Sequence, residues 1–199
     1  AVFRLLFVLA LAVLPRFVGG APELNAFPLN PPSWSLSLEL WGNLIYALVA
    51  PRLSNRLLVL LVAAGAAGLV ATALLAKDLN LGGGQGDVWA GWVRFLFAFS
   101  AGIGLQRLWA AGRIPALRPP DWLGPCILAG LLLAPAAGGW TVRAGVDLFA
   151  ILLVFPAMVA AALTARSSRL SGVLGFGARL SYPLYATHAA TLMAVGWAA

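Results

Sequence analysis

From Leu57 to Leu75 the chain carries no charged residue, and its one polar side chain is Thr72. Further apolar runs fall at about Val2–Leu14, Ser35–Val49, Val88–Ala110, Leu123–Gly138, Val146–Leu163 and Pro183–Ala198. An apolar run of about 20 residues is the length an α-helix needs to cross the hydrocarbon of a bilayer, with about 17 to 25 the usual range. Within hydrocarbon every backbone amide must find its partner inside the protein, so a spanning segment is a helix or part of a closed barrel. No strand-length alternation of polar and apolar residues recurs here, and Leu and Ala dominate the runs. The expectation is an all-α, polytopic transmembrane helix bundle of about seven spans.

Composition agrees. Of 199 residues 62% are hydrophobic and only 10% are charged, whereas a soluble domain carries about a quarter charged residues. The net charge of +7 does not mark a nucleic-acid surface, because the basic residues sit between apolar runs rather than in a patch. With the N-terminus inside and the C-terminus outside, Arg4, Arg52, Arg56, Arg107, Arg113, Arg118, Arg166, Arg169 and Arg179 all fall on the inner side. Arg16, Lys77 and Arg143 fall on the outer side, with Glu23, Asp78, Asp87 and Asp147. That asymmetry follows the positive-inside rule, and the expected location is the inner (cytoplasmic) membrane of a cell. The stretch from Pro15 to Trp34 holds Pro22, Pro28, Pro31 and Pro32 and reads as an extended outer connection. Leu81 to Gly86, Leu-Gly-Gly-Gly-Gln-Gly, reads as a flexible outer loop. Gly65, Gly68, Gly102 and Gly104 are the places where helix backbones are expected to approach closely. Cys126 is the only cysteine, so no intrachain disulfide forms and no thiolate metal site is expected.

Polar residues inside the apolar runs carry the functional signal. On the second run Ser35, Glu39, Asn43 and Tyr46 project within about 80° of one another at helical spacing. A carboxylate deep in a membrane helix costs on the order of 3 kcal/mol, so Glu39 needs a cation, a proton or a water-filled cavity. Arg94, about two turns into the fourth run, is the candidate cation. The alternative is that Trp34 anchors the interface and a Glu39–Arg94 pair only fixes helix register. In the last run Ser181, Tyr185 and His188 follow at i, i+4 and i+7 and share a face. His188 is the only histidine, and a lone histidine is more often a satisfied packing residue than a catalyst.

Asn30-x-Pro32-x-Trp34-Ser35-Leu36-x-x-Glu39, with Tyr46 and Pro51 downstream, resembles a signature of the membrane-bound acyltransferase-3 family. Gly175, Ser181-Tyr182, Tyr185 and His188 resemble that family's late-helix signature, in the family's order. The resemblance implies a membrane O-acyltransferase that moves an acyl group, often acetyl, from acyl-CoA to a hydroxyl of a carbohydrate or other extracytoplasmic acceptor, including lipid-linked ones. Acyl-CoA is then a co-substrate reached from the arginine-rich side, no cofactor or metal is bound, and no nucleic acid is a partner. Trp34, Ser35, Glu39, Arg94, Tyr182, Tyr185 and His188 are the expected substrate-binding residues. The family's first-helix histidine, its general base, has no match here, nor does the arginine motif after its second helix. The resemblance therefore implies that residues 1–199 form one acyltransferase-like domain shortened at the N-terminus and also at the C-terminus, not active alone. Two rival readings remain at this point: a transporter or flippase of an amphiphile, and a non-catalytic membrane scaffold. The arginine-for-lysine bias suits a GC-rich bacterial genome.

Overall fold

A computed structural model describes residues 15, 25–27, 30–116, 119–120, 122–133, 140–164, 172, 175–181 and 183–185. Among these the regular elements are helices, and the one extended pairing is an isolated bridge between Asn25 and Gly84. The first and last apolar runs lie largely outside the described residues.

The first described helix, α1, is Ser33–Val49. It starts where Pro31-Pro32 can no longer extend the chain. The Asn30 carbonyl accepts from both the Ser33 backbone N–H at 2.9 Å and the Ser33 hydroxyl at 2.7 Å. It ends in a 3-10 turn, Ala50–Arg52, that contains Pro51. Helix α2, Asn55–Ala76, is capped by Ser54, whose side chain accepts from the Leu57 N–H. Lys77 closes it in the left-handed conformation at φ 56°, its N–H bonded to the Ala73 carbonyl at 3.1 Å. Helix α3, Val88–Ala110, ends at Gly112, φ +65°. The Arg113 N–H reaches the Leu108 carbonyl and the Gly112 N–H reaches that of Trp109, the paired closing bonds of a Schellman motif. Helix α4 is Leu123–Leu133.

Helix α5, Trp140–Phe149, runs without a break through a π-helical turn, Ala150–Val154, into α6, Phe155–Thr164. The Phe155 N–H reaches back to the Ala150 carbonyl. Pro156 follows at once; its ring crowds the carbonyl four residues earlier, and a widened turn relieves that crowding. The helix starts before the apolar run does, so Arg143 and Asp147, expected in an outer connection, lie on its first turns. They pair at i, i+4 with 4.0 Å between Nε and Oδ2, which is how polar residues prolong a helix beyond its apolar stretch.

Asn55–Ala76, Val88–Ala110 and the run Val142–Thr164 are each long and apolar enough to cross a membrane. Only 22%, 22% and 6% of their most apolar windows is buried inside the protein. Exposed Leu40, Leu44 and Leu48 line one face of α1, and Leu74, Leu75, Leu132 and Leu133 are more exposed still. A surface this apolar belongs against lipid. The chain is a membrane protein, and its regular elements among the described residues are all helical.

The chain divides into two compact units. One comprises Ala1–Val49, Leu81–Trp92 and Arg169–Ala199, and the other Ala50–Asn80 and Val93–Ser168. In the second, Leu69, Leu79 and Phe97 form the buried core, with Val62, Ala66, Val93 and Leu148 packed on it. Gly65 and Gly68 behave as the sequence suggests. A Cβ on Gly65 would lie 2.7 Å from the Phe97 backbone nitrogen, and one on Gly68 would lie 2.7 Å from a Val93 methyl. Gly102 and Gly104 do not, since an added Cβ meets nothing within 4 Å at Gly102 and only Leu58 at 3.9 Å at Gly104. At one end of this unit the Arg107 guanidinium forks, donating to the Asn55 side chain at 2.7 Å and to the Leu53 carbonyl at 2.8 Å.

Candidate active site

The site in the first unit is built on the start of α1. Ser33, Ser37, Leu38 and Gly42 form the buried face of that helix. Trp34 and Ser35 stand at its first turn, both partly buried. Ser35 Oγ lies 2.6 Å from the Tyr185 phenol oxygen, and the phenol also donates to the Pro32 carbonyl at 3.2 Å. Ser35 itself reaches the same carbonyl at 3.3 Å. Each hydroxyl has one proton to give. The three oxygens therefore have two proton arrangements: Tyr185 to Pro32 with Ser35 to Tyr185, or the reverse circuit. This small polar network joins residues 150 positions apart, and Tyr185 keeps 40% of its surface exposed.

The other wall is the glycine-rich segment before α3, which is ordered by hydrogen bonds rather than left as a loose loop. Asp87 Oδ1 accepts from the Gly82 N–H at 3.0 Å and the Gly84 N–H at 2.8 Å. The Ala26 N–H reaches the Gly83 carbonyl at 2.8 Å, tying in the segment that precedes α1. A Cβ at Gly82 would lie 3.0 Å from the Trp34 ring and 2.8 Å from Gly91 Cα, and at Gly83 it would lie 3.3 Å from the ring. Gly82 also sits at φ +128°, open in practice to glycine alone. Glycines thus form a close-fitting cradle for the Trp34 indole. Sequence reasoning missed Asp87 as the residue that shapes this cradle. The available signal was a carboxylate directly after Gly-Gly-Gly-Gln-Gly and directly before a helix.

Of the expected binding residues, Trp34, Ser35 and Tyr185 come together here. Glu39 is exposed, on the side of α1 away from its buried face, and the Asn43 amide donates to the Glu39 backbone carbonyl at 2.8 Å. The Ser35–Glu39–Asn43–Tyr46 stripe is a real helical stripe, one turn after another along α1. Arg94 belongs to the second unit, where with Asn80, Arg143 and Asp147 it lines a cavity of about 690 Å³. Tyr182 and His188 lie outside the described residues.

Ser35 and Tyr185 come from the two separate motifs singled out above, so their contact makes those motifs one site. A family model described as an acyltransferase domain matches residues 2–197. The chain belongs to the acyltransferase-3 family. No curated protein and no solved structure matches it significantly. In this acyltransferase-3 chain the match runs across both compact units, so neither unit is an appended module of other origin.

Proposed function

We propose that this protein is an O-acyltransferase of a bacterial cytoplasmic membrane, moving an acyl group from acyl-CoA to a hydroxyl of an extracytoplasmic acceptor, a carbohydrate or a lipid-linked one. The observation that carries the reading is the Ser35–Tyr185–Pro32 network, where the family's two signatures meet, within a chain matched to the family over residues 2–197. In the reaction the acceptor oxygen forms a bond to the thioester carbonyl carbon, the C–S bond breaks, and the CoA thiolate leaves. The acceptor hydroxyl proton goes to a base.

The serine and tyrosine hydroxyls suit the orienting of an acceptor hydroxyl, because each both donates and accepts. Trp34 offers an apolar ring face, held in place by its glycine cradle, and ring faces pack well on the C–H face of a sugar. Tyr182 and His188 complete the late-helix part of the substrate site in this reading. Glu39 lines a polar route beside it, and Arg94 steadies an anionic part of a substrate. The arrangement in the bilayer is seven spans with the N-terminus inside, so acetyl-CoA, the favoured donor, arrives at the arginine-rich face.

The test uses the native protein in its membrane, supplied with acyl-labelled acetyl-CoA, reading both CoA release and label on surface carbohydrate. Wild type is expected to consume donor and label acceptor. Ser35→Ala and Tyr185→Phe are each expected to lower transfer roughly 2- to 12-fold, the rate equivalent of one hydrogen bond of about 0.5–1.5 kcal/mol, at unchanged protein level. Export of an amphiphile with no consumption of donor would overturn the reading in favour of a transporter. Loss of protein level alone in both variants, with wild type inactive, would leave a scaffold.

A further inference from the structure

At the end of the second unit where α2 begins and α3 finishes, positive charge gathers with no negative charge beside it. Arg107 is fixed there by neutral acceptors, the Asn55 side chain at 2.7 Å and the Leu53 carbonyl at 2.8 Å. A guanidinium carries five N–H donors, and these two bonds leave the others for a further acceptor. The same bonds bring the backbones of Arg52, just before Leu53, and Arg56, just after Asn55, beside the end of α3. Arg113 joins them through its N–H, bonded at 2.9 Å to the carbonyl of Leu108, the residue after Arg107. Arg52, Arg56 and Arg113 are exposed, and Arg107 is partly buried.

No carboxylate offsets these arginines. The sequence has none between Glu39 and Asp78 or between Asp87 and Asp121. Asp78 and Asp87 lie past the opposite ends of α2 and α3, about 30 Å away at 1.5 Å per residue. Arg118 and Asp121, farther along the connection after α3, lie outside the described residues and cancel in formal charge. The surface that continues from the cluster is apolar, since Leu57 and Leu60 on α2 and Leu108 and Trp109 on α3 are exposed. The uncharged stretch of α2 starts at Leu57, directly after Arg56, which puts the guanidiniums where hydrocarbon gives way to headgroups. An exposed tryptophan at a helix end marks the same level.

We propose that this cluster binds the phosphate of an anionic phospholipid, with Arg107 as the fixed donor and Arg52, Arg56 and Arg113 around the headgroup. Such a lipid matches both parts of the surface: a phosphate at the depth of the arginines, and acyl chains that continue along Leu57, Leu60 and Trp109. A water-soluble phosphate ester matches only the first. The inference rests on the chain being membrane-embedded and not on the acyl-transfer reading, so either can fail without the other.

The test is arginine footprinting of the full chain in phosphatidylcholine vesicles, with and without phosphatidylglycerol. Phenylglyoxal, a membrane-permeant arginine reagent, is added and its adducts are mapped residue by residue with mass spectrometry. Phosphatidylglycerol is expected to slow the reaction of Arg52, Arg56 and Arg113 by about fivefold, the preference carried by one arginine at an anionic surface. Arg143, 44% exposed and paired with Asp147, serves as the internal reference and is expected to react equally in both vesicles. The double variant Arg56→Gln, Arg113→Gln is expected to lose most of the protection at Arg52. Equal rates at the cluster in the two vesicles, or equal protection of Arg143, would overturn the proposal. Coenzyme A that protects the cluster in pure phosphatidylcholine as fully as phosphatidylglycerol does would overturn it too, in favour of a soluble phosphate. The wild-type footprint decides this by itself, whether or not the variant folds.

Discussion

Where α2 meets α3, the Gly65 Cα hydrogen faces the Phe97 main chain, and backbone has no rotamer by which to retreat. Gly65→Ala forces a Cβ to within 2.7 Å of the Phe97 nitrogen, and overpacking of this kind costs about 1–3 kcal/mol. Gly102→Ala, with open space around it, serves as the control and is expected to be neutral. Thermal unfolding of the two variants in detergent, side by side, checks the pair. The same reasoning distinguishes the four glycines that looked alike in the sequence: two are spacers between helices and two are not. Periodicity identifies a small residue on a face. It does not say whether another backbone arrives there.

At the scale of elements, the segment before α3 depends on one carboxylate. Asp87→Ala leaves the Gly82 and Gly84 N–H groups without their acceptor, and the loss of one partner of such bonds costs about 1–3 kcal/mol locally. Hydrogen exchange over residues 82–87 is expected to rise sharply while that of α2 stays slow. Exchange that rises equally everywhere would mean that Asp87 supports the whole fold and not the cradle. At the far end of the second unit, Arg107 ties α3 to the turn before α2 through two donors of one guanidinium. Arg107→Lys keeps the charge and loses the fork. A lower unfolding temperature with intact membrane insertion is the expected outcome, its size limited because the Asn55 contact is exposed.

For the whole molecule, the arrangement across the bilayer is a consequence of where arginines lie. The bend at Lys77 and the one at Arg113 terminate α2 and α3, each long and apolar enough to cross a membrane, so the proposed alternating arrangement puts them on opposite sides. With Cys126 replaced by Ser, a cysteine introduced at Lys77 is expected to react with an impermeant maleimide in intact spheroplasts. One introduced at Arg113 is expected to react only after permeabilisation. Reaction of both from outside would sink the alternating arrangement, and reaction of Arg113→Cys alone would invert it.

Sequence by itself determined the solvent and, with it, the class of fold. Runs such as Leu57–Leu75 leave no choice but helices in lipid, because hydrocarbon offers backbone amides no partner. The ends of α2 and α3 were close to legible for a related reason: Ser54 as cap and Gly112 as closing residue act through bonds within one turn. The motif around Trp34 and Ser35, and the later one containing Tyr185, were legible as two patterns. Their union was not, since nothing local in the chain encodes a contact between residues 150 positions apart. Only tertiary structure decided that Ser35 and Tyr185 share protons, that Asp87 folds the glycines around Trp34, and that Glu39 points away from the buried face of its own helix. Each depends on which elements pack together, and in a chain this uniformly apolar many pairings of helix faces are nearly equal in hydrophobic terms. Close contacts at small residues and a few polar bonds choose among them.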